Sequence, residues 1–259
     1  MGVVNVTPDS FSDGGRFLDL DRAVRHGESL RADGAGVIDV GGESTRPGAS
    51  PVALEVEIER VVPVVERLRD RVVSVDTRNA AVAEAAIQAG ARLVNDVSAL
   101  RHDPEMAGVV ASSGAGCVLM HMLGDDPRTM QDDPRYDDVV DDVKAFLSDR
   151  LSFAVAEGVP EERVWLDPGI GFGKTLEHNL SLLRRLGELC SLGRPLVVGA
   201  SRKSFLGRLT GRSVAAERDA ATVATTVLAY ERGASVFRVH DVRSTVDALK
   251  VAAATVPRT

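Results

Sequence analysis

A chain of 259 residues, 44% of them hydrophobic, can bury one large core but is too short for two generous domains. Its net charge of −7 comes from interleaved acidic and basic residues, which argues against nucleic acid or a membrane surface as the main partner. The two cysteines, Cys117 and Cys190, have no partner cluster, which disfavours a disulfide framework and a zinc site. No apolar run is as long as a membrane span. We therefore expect a cytosolic protein whose residues 1–259 form a single domain.

Short apolar runs alternate with helical patterns along the whole chain. The predicted strands are Met1–Val6, Gly36–Val40, Val72–Asp76, Arg92–Asp96, Gly116–His121, Val164–Asp167, Pro195–Ala200 and Val236–His240. The predicted helices are Asp19–Asp33, Ala53–Arg69, Ala80–Ala89, Pro104–Ser113, Tyr136–Glu157, His178–Leu192, Ala215–Arg232 and Ser244–Ala254. Eight strands alternating with eight helices predict an α/β fold, a single (β/α)8 TIM barrel with its active site at the C-terminal ends of the strands. A doubly wound open sheet is the alternative.

Nearly every predicted strand ends in a polar residue, and in an α/β barrel these ends meet on one face. A buried polar group costs about 1–3 kcal/mol unless it is paired, so a barrel built only for stability has no use for such a ring. Any single member can be a helix cap or a satisfied core residue, but their convergence predicts a site. The ring consists of Asn5, Asp39, Asp76, Asn95, Asp96, His121, Asp167, Ser201 and His240.

Arg238 and His240 share one face of the last predicted strand, because side chains alternate along a strand. An inward-facing arginine is costly to bury unless an anion meets it. Loops after the seventh and eighth strands are the usual phosphate-binding place in this fold, and Ser201-Arg202-Lys203 adds positive charge there. The pattern predicts a bound phosphate or pyrophosphate; the alternative is that Arg238 pairs with an acid such as Asp241.

On the opposite side of the barrel mouth we expect carboxylates and amides, from Asp76, Asn95 and Asp167. These groups accept and donate several hydrogen bonds at once, so they suit a flat heterocycle rich in N–H and C=O groups. A carboxylate can accept two parallel N–H bonds from the edge of a 2-amino-4-oxo ring. The polar residues therefore indicate a pterin or guanine-like base beside a bound phosphate.

Three loops at the active face have distinctive sequences. Residues 7–15 and 41–48 are rich in turn formers and carry Phe11 and Arg46, which are large side chains for idle surface connections. Both loops are predicted to act as lids, with their glycines absorbing the motion. The third loop contains Gly173-Lys174-Thr175, which ends like a Walker phosphate loop. Pro168 stands where the first glycine is required, so we interpret this segment as another loop at the barrel mouth.

Eight motifs, in order along the chain, carry a family resemblance. They are Asn5–Gly15, Asp39–Gly48, Ser74–Thr77, Val94–Val97, Leu119–Met122, Leu166–Gly169, Gly199–Ser204 and Arg238–Asp241. With these motifs the sequence resembles the bacterial dihydropteroate synthases, pterin-binding enzymes of folate biosynthesis, over essentially its whole length.

The resemblance implies a role for each matched position. Catalytic roles fall on Asp9, Arg46, Asp76, Asp167 and Lys203. The implied pterin contacts are Asp76, Asn95, Asp167 and Lys203, and the implied pyrophosphate contacts are Asn5, Thr45, Arg238 and His240. The implied p-aminobenzoate pocket consists of Phe11, Thr45, Pro47, Phe172, Ser201 and Lys203. Asn5 is also the implied ligand of the cofactor, Mg²⁺.

The implied reaction condenses 6-hydroxymethyl-7,8-dihydropterin pyrophosphate with p-aminobenzoate and releases pyrophosphate and 7,8-dihydropteroate. By resemblance it follows an SN1-like path, in which pyrophosphate leaves first and p-aminobenzoate traps a stabilised pterin cation. The resemblance also implies a homodimer and competition between sulfonamides and p-aminobenzoate.

Two other functions stay open on the sequence alone. A methyltetrahydrofolate-binding methyltransferase barrel would share the pterin-binding acids but has no need for Arg238, His240 or two lid loops. A catalytically silent paralogue would bind pterins without turnover. Family members usually carry residues ahead of the first motif, whereas Met1 stands four residues before Asn5, so we expect reduced stability rather than lost chemistry.

Overall fold

The computed structural model of the chain describes residues 1–7, 16–44, 51–127 and 129–255. Within these residues, short strands alternate with helices from the first strand to the last helix. The strands are β1 (Gly2–Asn5), β2 (Ile38–Gly41), β3 (Val73–Asp76), β4 (Leu93–Asp96), β5 (Gly116–Met120), β6 (Val164–Asp167), β7 (Val197–Val198) and β8 (Val236–Phe237).

The strands close into a barrel. Strands β1 to β6 form one parallel sheet in chain order, and β7 pairs in parallel with β8. Parallel bridges join the two sheets at both edges, from Leu166 to Leu196 and from Gly2 to Val239. At the second junction the Val239 N–H donates to the Met1 carbonyl at 2.9 Å. The strand order therefore returns to β1, which confirms the predicted barrel and rejects the open sheet.

The helices surround the barrel. They are α1 (Arg16–Ala32), α2 (Leu54–Leu68), α3 (Ala80–Ala89), α4 (Met106–Ser113), α5 (Val139–Ala156), α6 (Leu176–Arg184), α7 (Leu186–Cys190), α8 (Ser204–Thr210), α9 (Asp219–Glu231) and α10 (Val242–Thr255). The predicted helix His178–Leu192 is interrupted at Arg185, and Ala215–Arg218 is a 3-10 turn before α9. The short helix α8 was not predicted. No helix among the described residues combines the length and apolarity needed to cross a membrane.

The two faces of the strands build two different interiors. Side chains on the outward face pack against the helices in the main core, as Val40, Val75 and Val94 do. Side chains on the inward face fill the barrel. Near the amino ends of the strands these inward residues are apolar, namely Leu93, Val118 and Val197, with Met1, Trp165 and Val236 packed against them.

On three strands the inward side chain becomes polar two residues further along. Asn95 follows Leu93 on β4, Asp167 follows Trp165 on β6, and Arg238 follows Val236 just beyond the end of β8. The strand pattern therefore places polar groups on top of an apolar floor, at the carboxyl ends of the strands.

Candidate active site

Arg238 is the centre of a partly buried ion cluster at the carboxyl ends of the strands. Its Nε atom donates to Asp39 Oδ2 at 2.6 Å, and a terminal guanidinium nitrogen donates to Asp76 Oδ2 at 2.6 Å. The side chain of Asp39 is fully buried, and those of Asp76 and Arg238 are 13% and 24% exposed. Two charge-assisted hydrogen bonds to separate carboxylates hold the guanidinium in one orientation.

This cluster differs from the sequence prediction in two ways. The sequence places Arg238 and Asp76 on opposite sides of the mouth, but they are in direct contact. Barrel closure explains the contact, because β8 lies next to β1 and its inward side chains reach the ends of β2 and β3. The alternative that Arg238 pairs with an acid is confirmed, but among the described residues its partners are Asp39 and Asp76 rather than Asp241. The charge of Arg238 is therefore balanced without a phosphate, and its role in anion binding stays a prediction.

Asp39 is a site residue to which the sequence reasoning gave no role of its own. Its Oδ2 atom also accepts from Asn95 Nδ2 at 3.2 Å, so one carboxylate oxygen holds both Asn95 and Arg238. Its Oδ1 atom is buried without a hydrogen-bond partner among the described residues. A signal was present in the sequence, since Asp39 belongs to the ring of polar strand ends and a buried carboxylate needs a charged partner.

Burial shifts the ionisation of the groups around this cluster. Burial raises the pKa of Asp76 to about 7; Arg238 opposes this rise and Asp39 adds to it. Burial also raises the pKa of Asp167, against the opposing charge of Lys203. In turn, burial lowers the pKa of Lys203 to about 8, which the charge of Asp167 opposes. Asp76 and Lys203 therefore change charge close to neutral pH, as groups at functional sites often do.

The loop after β6 brings two predicted pocket residues together. Asp167 Oδ1 accepts from the Gly169 N–H at 2.7 Å, which fixes both the carboxylate and the start of the loop. The ammonium group of Lys203 donates to the Ile170 carbonyl and lies 4.5 Å from the centroid of the Phe172 ring. A cation at this distance from an aromatic face is attracted to it. Phe172 and Lys203 therefore form one wall beside Asp167.

Ser201 and His240 form a second pair across the ends of β7 and β8. The Ser201 Oγ atom lies 2.8 Å from His240 Nδ1 and also accepts from the His240 N–H at 3.2 Å. Ser201 is predicted for the p-aminobenzoate pocket and His240 for the pyrophosphate site. Because these two residues are in contact, the predicted p-aminobenzoate and pyrophosphate subsites would be adjacent.

The other predicted site residues divide between a described strand end and two undescribed loops. Asn5 ends β1 beside Gly41 of β2, at the same end of the barrel as Asp76. The structure describes no group of three or more His, Cys, Asp or Glu that could hold a metal ion, within the residues it covers. The remaining predicted residues lie outside the described residues; they are Asp9, Phe11, Thr45, Arg46 and Pro47.

A buried lysine behind the β6 loop was missed as a site residue. Lys174 is 4% exposed and His121 is 5% exposed, and Lys174 Nζ lies 2.9 Å from His121 Nδ1. In the sequence Lys174 stands out only through its similarity to a Walker loop, and the position follows a glycine-rich turn. Nothing local in such a turn indicates that the lysine points inward.

Comparison with known proteins gives one family. The family model described as "Pterin binding enzyme" matches residues 1–240. The dihydropteroate synthase of Mycobacterium leprae is 50% identical over 261 residues, which cover 98% of this chain and 92% of the relative. A structure of the Xanthomonas albilineans dihydropteroate synthase with 4-aminobenzoic acid aligns with a TM-score of 0.92 and 49% identity, covering 99% of this chain and 93% of that one. A Yersinia pestis dihydropteroate synthase in a sulfonamide drug complex aligns with a TM-score of 0.92 and 46% identity, covering 98% and 93%.

Proposed function

The chain belongs to the pterin binding enzymes, in the dihydropteroate synthase family, and from this premise we propose how its residues carry out the reaction. The chain is a transferase of folate synthesis that joins a dihydropterin to p-aminobenzoate and forms dihydropteroate. The observation that carries the proposal is the meeting of Arg238 with Asp39 and Asp76 at the barrel mouth. Hydrogen-bond acceptors for a pterin edge and donors for a pyrophosphate thus lie in one cluster.

We assign the pterin ring to Asp76, Asn95, Asp167 and Lys203. The carboxylates accept N–H bonds from the amino edge of the ring, and the amide and ammonium groups donate to its carbonyl and ring nitrogens. These groups are held before the ring binds, since Asn95 is hydrogen-bonded to Asp39 and Asp167 accepts from a backbone N–H. Such preorganisation lowers the cost of ordering the site on binding.

The pyrophosphate is assigned to Asn5, Arg238 and His240, together with Thr45 of the undescribed loop. Arg238 offers a fixed guanidinium, whose planar donors match phosphate oxygens. The hydrogen bond between Ser201 and His240 fixes the imidazole, with 2.8 Å between Oγ and Nδ1. The guanidinium of Arg238 and an N–H group of the His240 ring stabilise the negative charge that grows on the leaving group.

Magnesium fits this site as an ion that arrives with the pyrophosphate. Mg²⁺ prefers octahedral oxygen ligands and is usually held by one or two protein groups together with phosphate oxygens and waters. Asn5 offers one amide oxygen at the end of β1, and no acidic cluster among the described residues would form a cage made of protein alone. When bound, Mg²⁺ supplies positive charge that stabilises the leaving pyrophosphate.

In the proposed path, pyrophosphate departs before the new C–N bond forms. The methylene C–O bond breaks, its electron pair leaves with pyrophosphate, and the positive charge spreads over the pterin ring. Asp76 and Asp167 in their ionised forms stabilise this cation. The aryl amine then attacks through its neutral nitrogen, the new C–N bond forms, and the acidic arylammonium loses its proton to bulk solvent, so no strong general base is needed. We assign water exclusion to the two loops that carry Asp9, Phe11, Arg46 and Pro47.

The p-aminobenzoate pocket is assigned to Phe172, Ser201 and Lys203, together with Phe11, Thr45 and Pro47 of the undescribed loops. Phe172 supplies an aromatic wall, and Lys203 lies 4.5 Å from its ring centroid, between that wall and the pterin acids. The X. albilineans relative binds 4-aminobenzoic acid and the Y. pestis relative binds a sulfonamide drug. We propose that both kinds of molecule compete for this pocket here.

We further propose that residues 1–259 work as one domain in the cytoplasm and that two copies form a homodimer. The late helices offer apolar side chains for such an interface. Leu209, Leu228 and Val251, on α8, α9 and α10, are 53%, 47% and 65% exposed. If these side chains form one contiguous patch in the dimer, they would bury apolar surface there.

The test combines the protein with Mg²⁺, p-aminobenzoate and the pterin pyrophosphate, and follows dihydropteroate by mass spectrometry and pyrophosphate by a coupled assay. We expect both products in equal amounts, with a sulfonamide raising the apparent KM for p-aminobenzoate. Arg238→Ala should lower kcat/KM by about 10³-fold, because it removes the main cation for the leaving group. Arg243→Ala, a change at an exposed arginine, is the control. Pterin binding without product in the unaltered protein would favour the silent paralogue.

A further inference from the structure

Lys174 is a buried lysine that the proposed reaction leaves without a task, and burial lowers the pKa of its side chain well below the usual range. Its Nζ atom lies 2.9 Å from the Phe172 carbonyl, 2.9 Å from His121 Nδ1 and 3.5 Å from the His121 carbonyl. The terminal nitrogen of lysine donates N–H bonds, and here three hydrogen-bond acceptors surround it. Among the residues that the structure describes, no carboxylate lies within ion-pair distance of Nζ. The lysine is therefore held by dipoles, in a place where a methionine or leucine would cost no desolvation.

The acceptor at His121 is set by its environment. Burial, together with nearby Lys174 and Arg101, lowers the pKa of the His121 imidazole to about 2. The ring is thus neutral at physiological pH, and its Nδ1 atom is the acceptor for the lysine. Edge-to-face packing against Phe146, with 4.8 Å between ring centroids, fixes the plane of the imidazole.

The groups that Lys174 joins belong to two different loops. His121 follows β5, and Phe172 lies in the loop after β6. These loops are in close contact: a Cβ atom added at Gly169 would lie 1.8 Å from the His121 carbonyl oxygen. Lys174 joins the far end of the β6 loop to the same carbonyl of His121, just after β5.

The β6 loop is thus held by two lysines from two sides. On the active-site side, Lys203 donates to the Ile170 carbonyl and lies against the Phe172 ring. On the buried side, Lys174 donates to the carbonyl of Phe172 itself. The first contact is available to substrates, whereas the second is shielded from them.

We propose that Lys174 is a positioning residue that, by binding the carbonyls of Phe172 and His121 together with the His121 ring, holds Phe172 in place as the wall of the p-aminobenzoate pocket. This inference rests on the proposed function for its substrate. It explains why a lysine occupies a buried position: a hydrophobic residue would fill the space but would leave two carbonyl groups and a ring nitrogen without a donor.

The experiment compares Lys174→Met with Lys174→Gln, which retains N–H donors, and with Lys250→Met on the exposed face of α10 as the control. We expect Lys174→Met to raise the KM for p-aminobenzoate about 10-fold, the equivalent of one or two lost hydrogen bonds. The KM for the pterin substrate and kcat should stay within about threefold, because Asp167 and Lys203 keep their own hydrogen bonds to the loop, with Gly169 and Ile170. Lys174→Gln should recover part of the loss. An equal rise in both KM values would overturn the proposal, since it would indicate general damage.

A second measurement reports on the loop without substrate. Phe172 is replaced by 4-fluorophenylalanine, and its ¹⁹F resonance is recorded in each variant. Lys174→Met should shift or broaden the resonance, while Lys250→Met should leave it unchanged. An unchanged resonance would overturn the proposal. A shifted resonance with an unchanged KM for p-aminobenzoate would overturn the proposal that Lys174 acts on p-aminobenzoate binding through Phe172. The proposed function of the enzyme would not be affected by that result. If the unaltered protein forms no product, the proposed function fails, and the ¹⁹F spectrum alone decides whether Lys174 holds the loop.

A matched pair at His121 covers the case in which Lys174→Met does not fold. His121→Asn keeps an acceptor near the position of Nδ1, and His121→Leu removes it. We expect His121→Leu to raise the KM for p-aminobenzoate about threefold more than His121→Asn does, through the loss of one hydrogen bond. Equal KM values and equal ¹⁹F spectra for the two variants would overturn the proposal that the contact between Lys174 and His121 holds Phe172.

Discussion

The lower half of the barrel interior is filled by apolar side chains, whereas the upper half carries charged and polar ones. In the lower half Leu93, Val118 and Val197 are 4%, 0% and 1% exposed and pack among apolar neighbours. In the upper half the same strand faces carry carboxylates, an amide and Arg238. Burial of an aliphatic side chain stabilises the fold by about 1.5–3 kcal/mol. Burial of a charge costs several kcal/mol unless it is paired.

The comparison shows that stability and chemistry occupy separate layers of one barrel. The floor stabilises the fold without help from the mouth. The mouth is held together by the Asp39–Arg238–Asp76 cluster, which still leaves the Asp39 Oδ1 atom without a partner among the described residues. We therefore expect substitutions in the mouth to affect activity most, and substitutions in the floor to affect stability most.

Asp76→Asn should give the largest difference between its effect on activity and its effect on stability. The amide keeps the shape of the side chain but cannot accept two parallel N–H bonds or stabilise a pterin cation, so kcat/KM should fall about 10²–10³-fold. Steady-state kinetics with both substrates measures the change, and the exposed Asp137→Asn serves as the control. A rate within threefold of the unaltered enzyme would remove Asp76 from the proposed mechanism.

The pH dependence of this variant sharpens the same test. The unfolded chain ionises Asp76 near the ordinary pKa of 3.8, whereas burial raises the pKa in the folded chain to about 7. The folded state therefore keeps the proton that the unfolded state loses, so this group's contribution to stability is lost as the pH rises from about 4 to 7. In denaturant unfolding, the free energy of unfolding of Asp76→Asn should fall less steeply between about pH 4 and 7 than that of the unaltered protein. The kcat/KM of the unaltered enzyme should rise through pH 7, as the carboxylate forms, and this rise should be absent in the variant.

Gly169→Ala should damage the mouth through the backbone. Gly169 has a φ of +64°, and an added Cβ would lie 1.8 Å from the His121 carbonyl oxygen, so the loop must shift. The left-handed conformation costs about 1–2 kcal/mol for an alanine and the clash adds about 1–3 kcal/mol, which thermal unfolding would detect. Gly193→Ala is the matched control, because its φ is +72° and no atom lies within 4 Å of the added Cβ. Equal losses of stability at the two positions would mean that the β6 loop accommodates the added Cβ at Gly169 without a measurable free-energy cost.

Leu93→Ala should have the smallest effect on activity. The side chain lies in the floor, so its truncation should lower the free energy of unfolding by about 2–4 kcal/mol. The kinetic constants should stay within twofold at temperatures where the variant is folded. Leu54→Ala, at a leucine that is 42% exposed, is the control for stability. A large loss of activity in folded Leu93→Ala would show that floor and mouth are coupled.

Much of the fold was predictable because its signals are local. The alternation of apolar runs with helical periodicity predicted all eight strands and the barrel, and Ala80–Ala89 was predicted to the residue. Elements without a local period were harder. Helix α8 has seven residues, too few to show one, and β7 and β8 each keep only two of the residues predicted for them.

The site was predictable by residue type but not by contact. The ring of polar strand ends and the shared face of Arg238 and His240 follow from two-residue alternation. Lys174 was missed because the direction of a side chain in a glycine-rich loop depends on what packs against it. The roles of all the site residues stay predictions, and Asp9 and Arg46 also lie outside the described residues.

The sequence by itself determined the order of the elements, the position of the polar residues at the strand ends and the family to which the motifs belong. Only the tertiary structure decided which charges meet. Arg238 pairs with Asp39 and Asp76, which are 199 and 162 positions away in the chain. Periodicity reports how a side chain is oriented along its own strand, but a pairing across a barrel depends on its closure and on the low dielectric of its interior, where a buried charge must find a partner.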